Sequence, residues 1–248
     1  MPALSGKTAV ITGASGGIGR AIAREFAGQG ASVVLVGRTR PKLESVLEKL
    51  GPVKPSSLQV DQPKTHATVC FDVSQASGWR SLVENTQIDI LVNCAGETQR
   101  SLLLRTSDES VQHLLDLNLR SVVWGCKTVG KQMVARRKGG CIINVSSLLA
   151  YRAAMGTSIY AAAKAGQLGL TTALSQELGL RGIRVNAIVP GYIETDMTKD
   201  LDRTQLIKNI PLGRFGAPGE VAHAALFLAT NNYANNCILH LDGGLSAV

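Results

Sequence analysis

The sequence predicts an α/β fold, a doubly wound sheet of seven parallel strands with helices on both faces, formed by one domain over residues 1–248. Three observations carry that prediction. Short β-branched runs alternate with longer helical patterns along the whole chain, the order that parallel strands and right-handed crossovers require. Aliphatic residues are plentiful while aromatics make up 4%, as expected of strands buried on both faces under alanine-rich helices. A cluster of glycines ends the first run and opens the first helical pattern.

In chain order, the first strand candidate is residues 8–12, Thr-Ala-Val-Ile-Thr, and an apolar helical pattern follows over 18–29. Further strand candidates lie at 32–36, 67–71, 88–93, 141–145, 184–189 and 237–241. Helical stretches connect them, among them 41–50, 107–134 and 159–180, with a shorter one around 77–86. Residues 51–65 hold Pro52, Pro55 and Pro63 and read as a polar surface loop. No second composition regime appears, hence no second domain. A chain of this size buries about three quarters of its unfolded surface in one core.

The glycine cluster has the chemistry of a dinucleotide site. Gly13 permits a tight turn, Gly17 leaves the backbone free to approach a pyrophosphate, and Gly19 lets the helix pack closely on the strand. Ser15, Gly16 and Ile18 complete the turn. Free N–H groups at the helix start, with the positive end of its dipole, receive the anion. An NAD site places an acid about twenty residues beyond such a turn. Here Gly37 occupies that position, and Arg38 and Thr39 follow. A guanidinium grips a 2′-phosphate that an acid would repel. NADPH is the expected cofactor, and reduction the expected direction.

The second signal is Ser158-Ile-Tyr160-Ala-Ala-Ala-Lys164, with Ser146-Ser147 upstream. On a helix, Tyr160 and Lys164 project from one face one turn apart. A nearby ammonium favours the phenolate and lowers a phenol's pKa from its usual ~10. That makes Tyr160 a usable proton donor near neutral pH.

Together these motifs resemble the short-chain dehydrogenase/reductase family, and the resemblance covers nearly the whole chain. Asn93-Cys94-Ala95-Gly96 stands where the family usually has Asn-Asn-Ala-Gly, and Pro190-Gly191 follows a late strand. Asn118 and Ser147, the latter thirteen residues before Tyr160, match as well. The likeness is densest to 3-oxoacyl-(acyl-carrier-protein) reductases and related carbonyl reductases, over residues 184–198 and 209–216. It implies a Rossmann fold and the catalytic set Asn118, Ser147, Tyr160 and Lys164. In that set Ser147 orients the carbonyl oxygen, and Asn118 places a water that resupplies the proton. It also implies an adenine contact from Asp72 and Val73, a wall beside the adenosine ribose from Asn93, Ala95 and Gly96, and cofactor contacts from Pro190, Gly191, Ile193 and Thr195. The implied reaction is NADPH-dependent reduction of a 3-oxoacyl thioester in type II fatty acid synthesis. The alternatives are reduction of another carbonyl, such as a quinone, ketosteroid, sugar or other small ketone, and a non-catalytic nucleotide-binding subunit. An acidic carrier protein is expected near Arg137, Lys138 and Arg181, beside the active-site mouth, and the expected assembly is a homotetramer.

Net charge is +8. No nucleic-acid module and few base-stacking aromatics accompany it, so nucleic acid is not the expected partner. Five cysteines without a C-x-x-C spacing and four isolated histidines give no metal site, and buried thiols are the expected reading. No apolar run approaches the ~20 residues needed to span a membrane. No leader is visible, so the expected location is cytoplasm or mitochondrial matrix.

Overall fold

The computed structural model describes residues 2–53 and 65–247. Of the loop expected over 51–65, residues 54–64 lie outside the described residues. The elements run β1 (Thr8–Thr12), α1 (Gly17–Gly28), β2 (Ser32–Gly37), α2 (Arg40–Leu47), β3 (Ala67–Cys70), α3 (Ala76–Asn85) and β4 (Ile90–Asn93). They continue with α4 (Asp108–Leu115), α5 (Ser121–Arg136), β5 (Gly140–Val145), α6 (Ser158–Gly179), β6 (Ile183–Pro190), α7 (Arg203–Ile207), α8 (Pro218–Thr230) and β7 (Ile238–Leu241).

The strands form one seven-stranded sheet in the order β3-β2-β1-β4-β5-β6-β7, and every pair is parallel. Strand alternation sends successive side chains to opposite faces. In β1, Ala9 and Ile11 enter the layer beneath α1 and α8. Val10 enters the opposite layer with Trp79, Val122 and Met133. Both faces are thus covered, which is why the strands read as nearly unbroken apolar runs. The strand order reverses between β1 and β4, and such a switch opens a crevice beyond the carboxyl ends of those two strands.

The seven strand candidates form, each with ends within two residues of expectation. Two helices differ. The stretch expected to be helical over 41–50 ends at Leu47. The helix expected over 107–134 is two helices, α4 and α5, joined by a π-helical turn at Asp116–Arg120. Apolar periodicity runs through the joint, so nothing in the pattern marks the extra residue in the turn. Among the described residues no helix is long and apolar enough to cross a membrane.

Candidate active site

Two cavities meet at the carboxyl ends of the central strands. The first, about 380 Å³, follows the glycine turn along the start of α1. Gly16 is the N-cap of α1, and no side chain caps that helix, so its first-turn N–H groups face the cleft as an anion site would need. Gly13 has φ +64° and lies so close to Ala95 that an added Cβ would stand 2.8 Å from its Cα. A Cβ on Gly17 would fall 2.5 Å from Thr195 Cγ2, filling the cradle between the turn and the segment after β6. The Thr12 hydroxyl fastens the facing wall by accepting from the backbone N–H groups of Cys94 at 3.0 Å and Ala95 at 3.1 Å. These features fit a dinucleotide.

Gly13, Ser15, Gly16, Gly17, Ile18 and Gly19 all line this cleft, as do Arg38, Thr39, Val73, Ala95, Gly96 and Thr195. Three of the expected cofactor residues, Pro190, Gly191 and Ile193, line the second cavity instead. Neither Asp72 nor Asn93 borders either cavity as described. The Asp72 carboxylate accepts from the Ser74 N–H at 2.9 Å and shapes the turn after β3. Asn93 is buried in the sheet and donates to Asn144 Oδ1 at 2.9 Å. Lys42, Phe71 and Leu117 border the cleft without having been singled out from sequence. Lys42 lies in the first turn of α2, four residues beyond Arg38, and that nearness in sequence is the signal that would have found it.

The second cavity, about 480 Å³, is walled by Leu102, Leu148, Leu149, Met155, Met197 and Leu201, with Arg100 as its charged residue. Ser146, Tyr160, Thr195 and Met197 border both cavities, so the phenol of Tyr160 stands where the two join.

The four expected proton-transfer residues come from three segments: the π turn, the end of β5 and α6. Lys164, one turn beyond Tyr160 on α6, donates to Val145 O at 2.8 Å, and its Nζ lies 5.7 Å from the centre of the Tyr160 ring. Asn118 sits in the π turn, buried. Its Nδ2 donates to Glu97 O at 2.9 Å and Leu114 O at 3.0 Å, and its Oδ1 accepts from the Glu97 N–H at 3.2 Å. The side chain thereby pins the loop after β4, because the π turn aims it at that backbone. Gly96 leaves room for this meeting; a Cβ there would lie 2.7 Å from Asn118 Oδ1. The serine pair divides as strand alternation dictates. Ser146 Oγ donates to Lys164 O at 2.8 Å inside the core. Ser147, just past β5, hydrogen-bonds the Tyr160 phenol.

Electrostatics correct one expectation. Burial pushes the Tyr160 phenol up to about 12, the Ser147 hydrogen bond acts against that rise, and neighbouring Cys94 adds to it. Burial also brings the Lys164 ammonium down to about 8, with Cys94 opposing. Desolvation therefore outweighs the attraction expected between Lys164 and a phenolate. Tyr160 is a strongly protonated phenol here, an acid held ready rather than one already ionising.

The basic residues lie elsewhere. Arg137 and Lys138 immediately precede β5, and Arg181 precedes β6, where Gly140 N–H donates to Gly182 O at 3.2 Å. Both loops are at the amino ends of the strands. The cavities are at the carboxyl ends, about 20 Å away across the six residues of β5. Within this chain the three cations and the cavities thus stand at opposite ends of the sheet, because β5 and β6 run parallel.

A family model described as short chain dehydrogenase matches residues 7–206. The 3-oxoacyl-(acyl-carrier-protein) reductase of Chlamydia muridarum is 41% identical over 251 residues, covering 98% of each chain. Carbonyl reductase family member 4 of Xenopus laevis is 36% identical over 244 residues, covering 96% of this chain and 98% of its own. A solved structure from Beutenbergia cavernae, named as a candidate NAD(P)-dependent gluconate 5-dehydrogenase with NADP bound at low occupancy, superposes with a TM-score of 0.90. It is 32% identical and covers 100% of both chains.

Proposed function

The chain belongs to the short-chain dehydrogenase family, as an NAD(P)-dependent oxidoreductase acting on CH–OH/C=O groups, and from that premise we propose that it reduces 3-oxoacyl thioesters on an acyl carrier protein with NADPH. The observation that carries this reading is the apolar cavity of about 480 Å³ whose inner end is Tyr160. Leucines and methionines suit an acyl chain. A gluconate-like polyol, the substrate class named for the Beutenbergia cavernae neighbour, would need polar partners for each hydroxyl, and the polar side chains of the lining, among them Thr98, Arg100, Thr157 and Thr198, are outweighed by this apolar wall. The same apolar wall also favours a second reading, a carbonyl reductase for small ketones, in keeping with the Xenopus laevis relative.

The glycine turn and the first turn of α1 would hold NADPH, which would supply a hydride to the carbonyl carbon. As the C=O π pair moves onto oxygen, Tyr160 gives that oxygen its phenolic proton, a step worth about 10² to 10⁴ in rate. Ser147 holds the same oxygen by a hydrogen bond as its charge grows. Lys164 offers its ammonium to the ribose hydroxyls and to the phenolate left on Tyr160. Asn118 fixes the loop after β4 against the π turn and so holds the shared wall in place. Arg38, with Lys42 along the same rim, meets the 2′-phosphate, and Gly37 offers no acid to oppose it. Val73 serves the adenine side and Pro190, Gly191 and Ile193 the nicotinamide side, while Asp72 and Asn93 act through the turn and the sheet that they brace.

The carrier protein docks on Arg137, Lys138 and Arg181. That patch is remote from its own chain's mouth, so the docking reading goes with the homotetramer, in which it serves a neighbouring copy.

The test is NADPH oxidation with acetoacetyl-CoA and with carrier-bound acetoacetate, NADH run alongside, for wild type and Tyr160→Phe. Expected are turnover that prefers NADPH at least tenfold, a carrier preference, and a loss of about 10² or more in Tyr160→Phe with NADPH binding retained. Turnover of small ketones but not of either thioester would move the assignment to the second reading.

A further inference from the structure

We propose that Gln99 is a positioning residue for Tyr160, holding the amino end of α6 from a loop on the far side of the cavity; this rests on the proton-donor role of Tyr160 given above. The first turn of any helix leaves N–H groups without intrahelical partners, and a side chain at the N-cap commonly serves them. The N-cap of α6 is Thr157, and it makes no such bond. Its hydroxyl is turned back to the preceding loop, donating to Ala154 O at 2.6 Å and accepting from the Ala154 N–H at 3.1 Å.

Gln99 takes over that task. Its Oε1 accepts from the Ile159 N–H at 2.8 Å and from the Tyr160 N–H at 3.2 Å. The second of these is the backbone of the proton donor itself. The glutamine is in turn held from behind. Its Nε2 donates to Ser101 O at 2.8 Å and reaches Thr106 Oγ1 at 3.5 Å, and that hydroxyl is tied to Ser101 Oγ at 2.7 Å and to Leu102 O at 2.9 Å. Gln99 is 3% exposed, so its amide has no water to exchange these partners with.

The arrangement has a consequence for the reaction. Asn118 pins Glu97, and Gln99 two residues later pins α6, so one short loop sets the distance between the nucleotide wall and the phenol. Loss of Oε1 frees the first turn of α6, and Tyr160 is the residue with most to lose. A misplacement of about 1 Å is enough to cost on the order of 10²-fold in rate.

The experiment compares wild type, Gln99→Leu, Gln99→Glu and Tyr160→Phe. Leucine removes the acceptor at similar volume; glutamate keeps an acceptor at the same reach. With acetoacetyl-CoA and NADPH, Gln99→Leu is expected to lower kcat by about 10- to 100-fold with KM within about threefold, and NADPH Kd, read by nucleotide fluorescence, unchanged. Gln99→Glu is expected to recover most of the loss. Independently of any substrate, amide hydrogen exchange at Ile159 and Tyr160 is expected to quicken at least tenfold in Gln99→Leu and not in Gln99→Glu. Unchanged exchange at those two amides, or full kcat in Gln99→Leu while Tyr160→Phe is inactive, would overturn the proposal. An active Tyr160→Phe would instead remove the proton-donor reading on which it rests.

Discussion

Lys164 is 4% exposed, and an ammonium held there has lost most of its hydration. Its pKa is brought down from 10.5 to about 8 by that burial. Between those two values the folded protein binds fewer protons than the unfolded one, so stability from this group rises with pH through the window and is poorest below it. Lys164→Met should therefore melt a few degrees above wild type at pH 7, with the gap closing toward pH 10. Thermal melts at the two pH values check this. The difference between the proteins is the readout, because burial also holds up Cys126 and Cys141, which weakens both proteins alike in alkali. At this scale the sequence was generous where chemistry is local. Tyr160 and Lys164 announce themselves by a spacing of one helical turn. Gln99 does not, since the amides it serves lie 60 and 61 residues further on. The raised phenol pKa was also illegible, because burial depends on everything that surrounds a group.

At the scale of elements, the seven strands were legible because each is a short, mainly aliphatic run, and burial on both faces leaves few polar interruptions, such as Asn144 in β5 and Asn186 in β6. Helix interiors were legible too, but not the joint between α4 and α5. A π turn spaces backbone hydrogen bonds one residue wider and releases a carbonyl from its usual partner. Here Ser121 Oγ donates to Leu117 O at 2.6 Å, and Gln167 Nε2 donates to Asn118 O. Both side chains are buried. Ser121→Ala should cost about 1 kcal/mol and lower Tm by roughly 2–4 °C, with a fall in kcat as Asn118 loosens its hold on Glu97. A melt and a turnover assay on the same sample check both effects.

At the scale of the whole molecule, charge and chemistry sit at opposite ends of the strands. If the basic end receives an acidic carrier, Lys138→Glu with Arg181→Glu should lower kcat/KM for carrier-bound acetoacetate by about tenfold or more at low salt. Acetoacetyl-CoA should be turned over as before, and steady-state kinetics on the two substrates separate the outcomes. The strand order carries one more consequence, for how the chain acquires its shape. Of the seven strands β1 is made before the rest, yet it lies inside the sheet, with Ala9 paired to Val33 on one side and to Ile90 on the other. The first pairing closes early. The second waits for some eighty further residues of synthesis, and until then Ala9, Val10 and Ile11 present a bare, apolar edge to whatever is near. A nascent chain arrested short of β4 should be markedly more prone to aggregate than one arrested just beyond it.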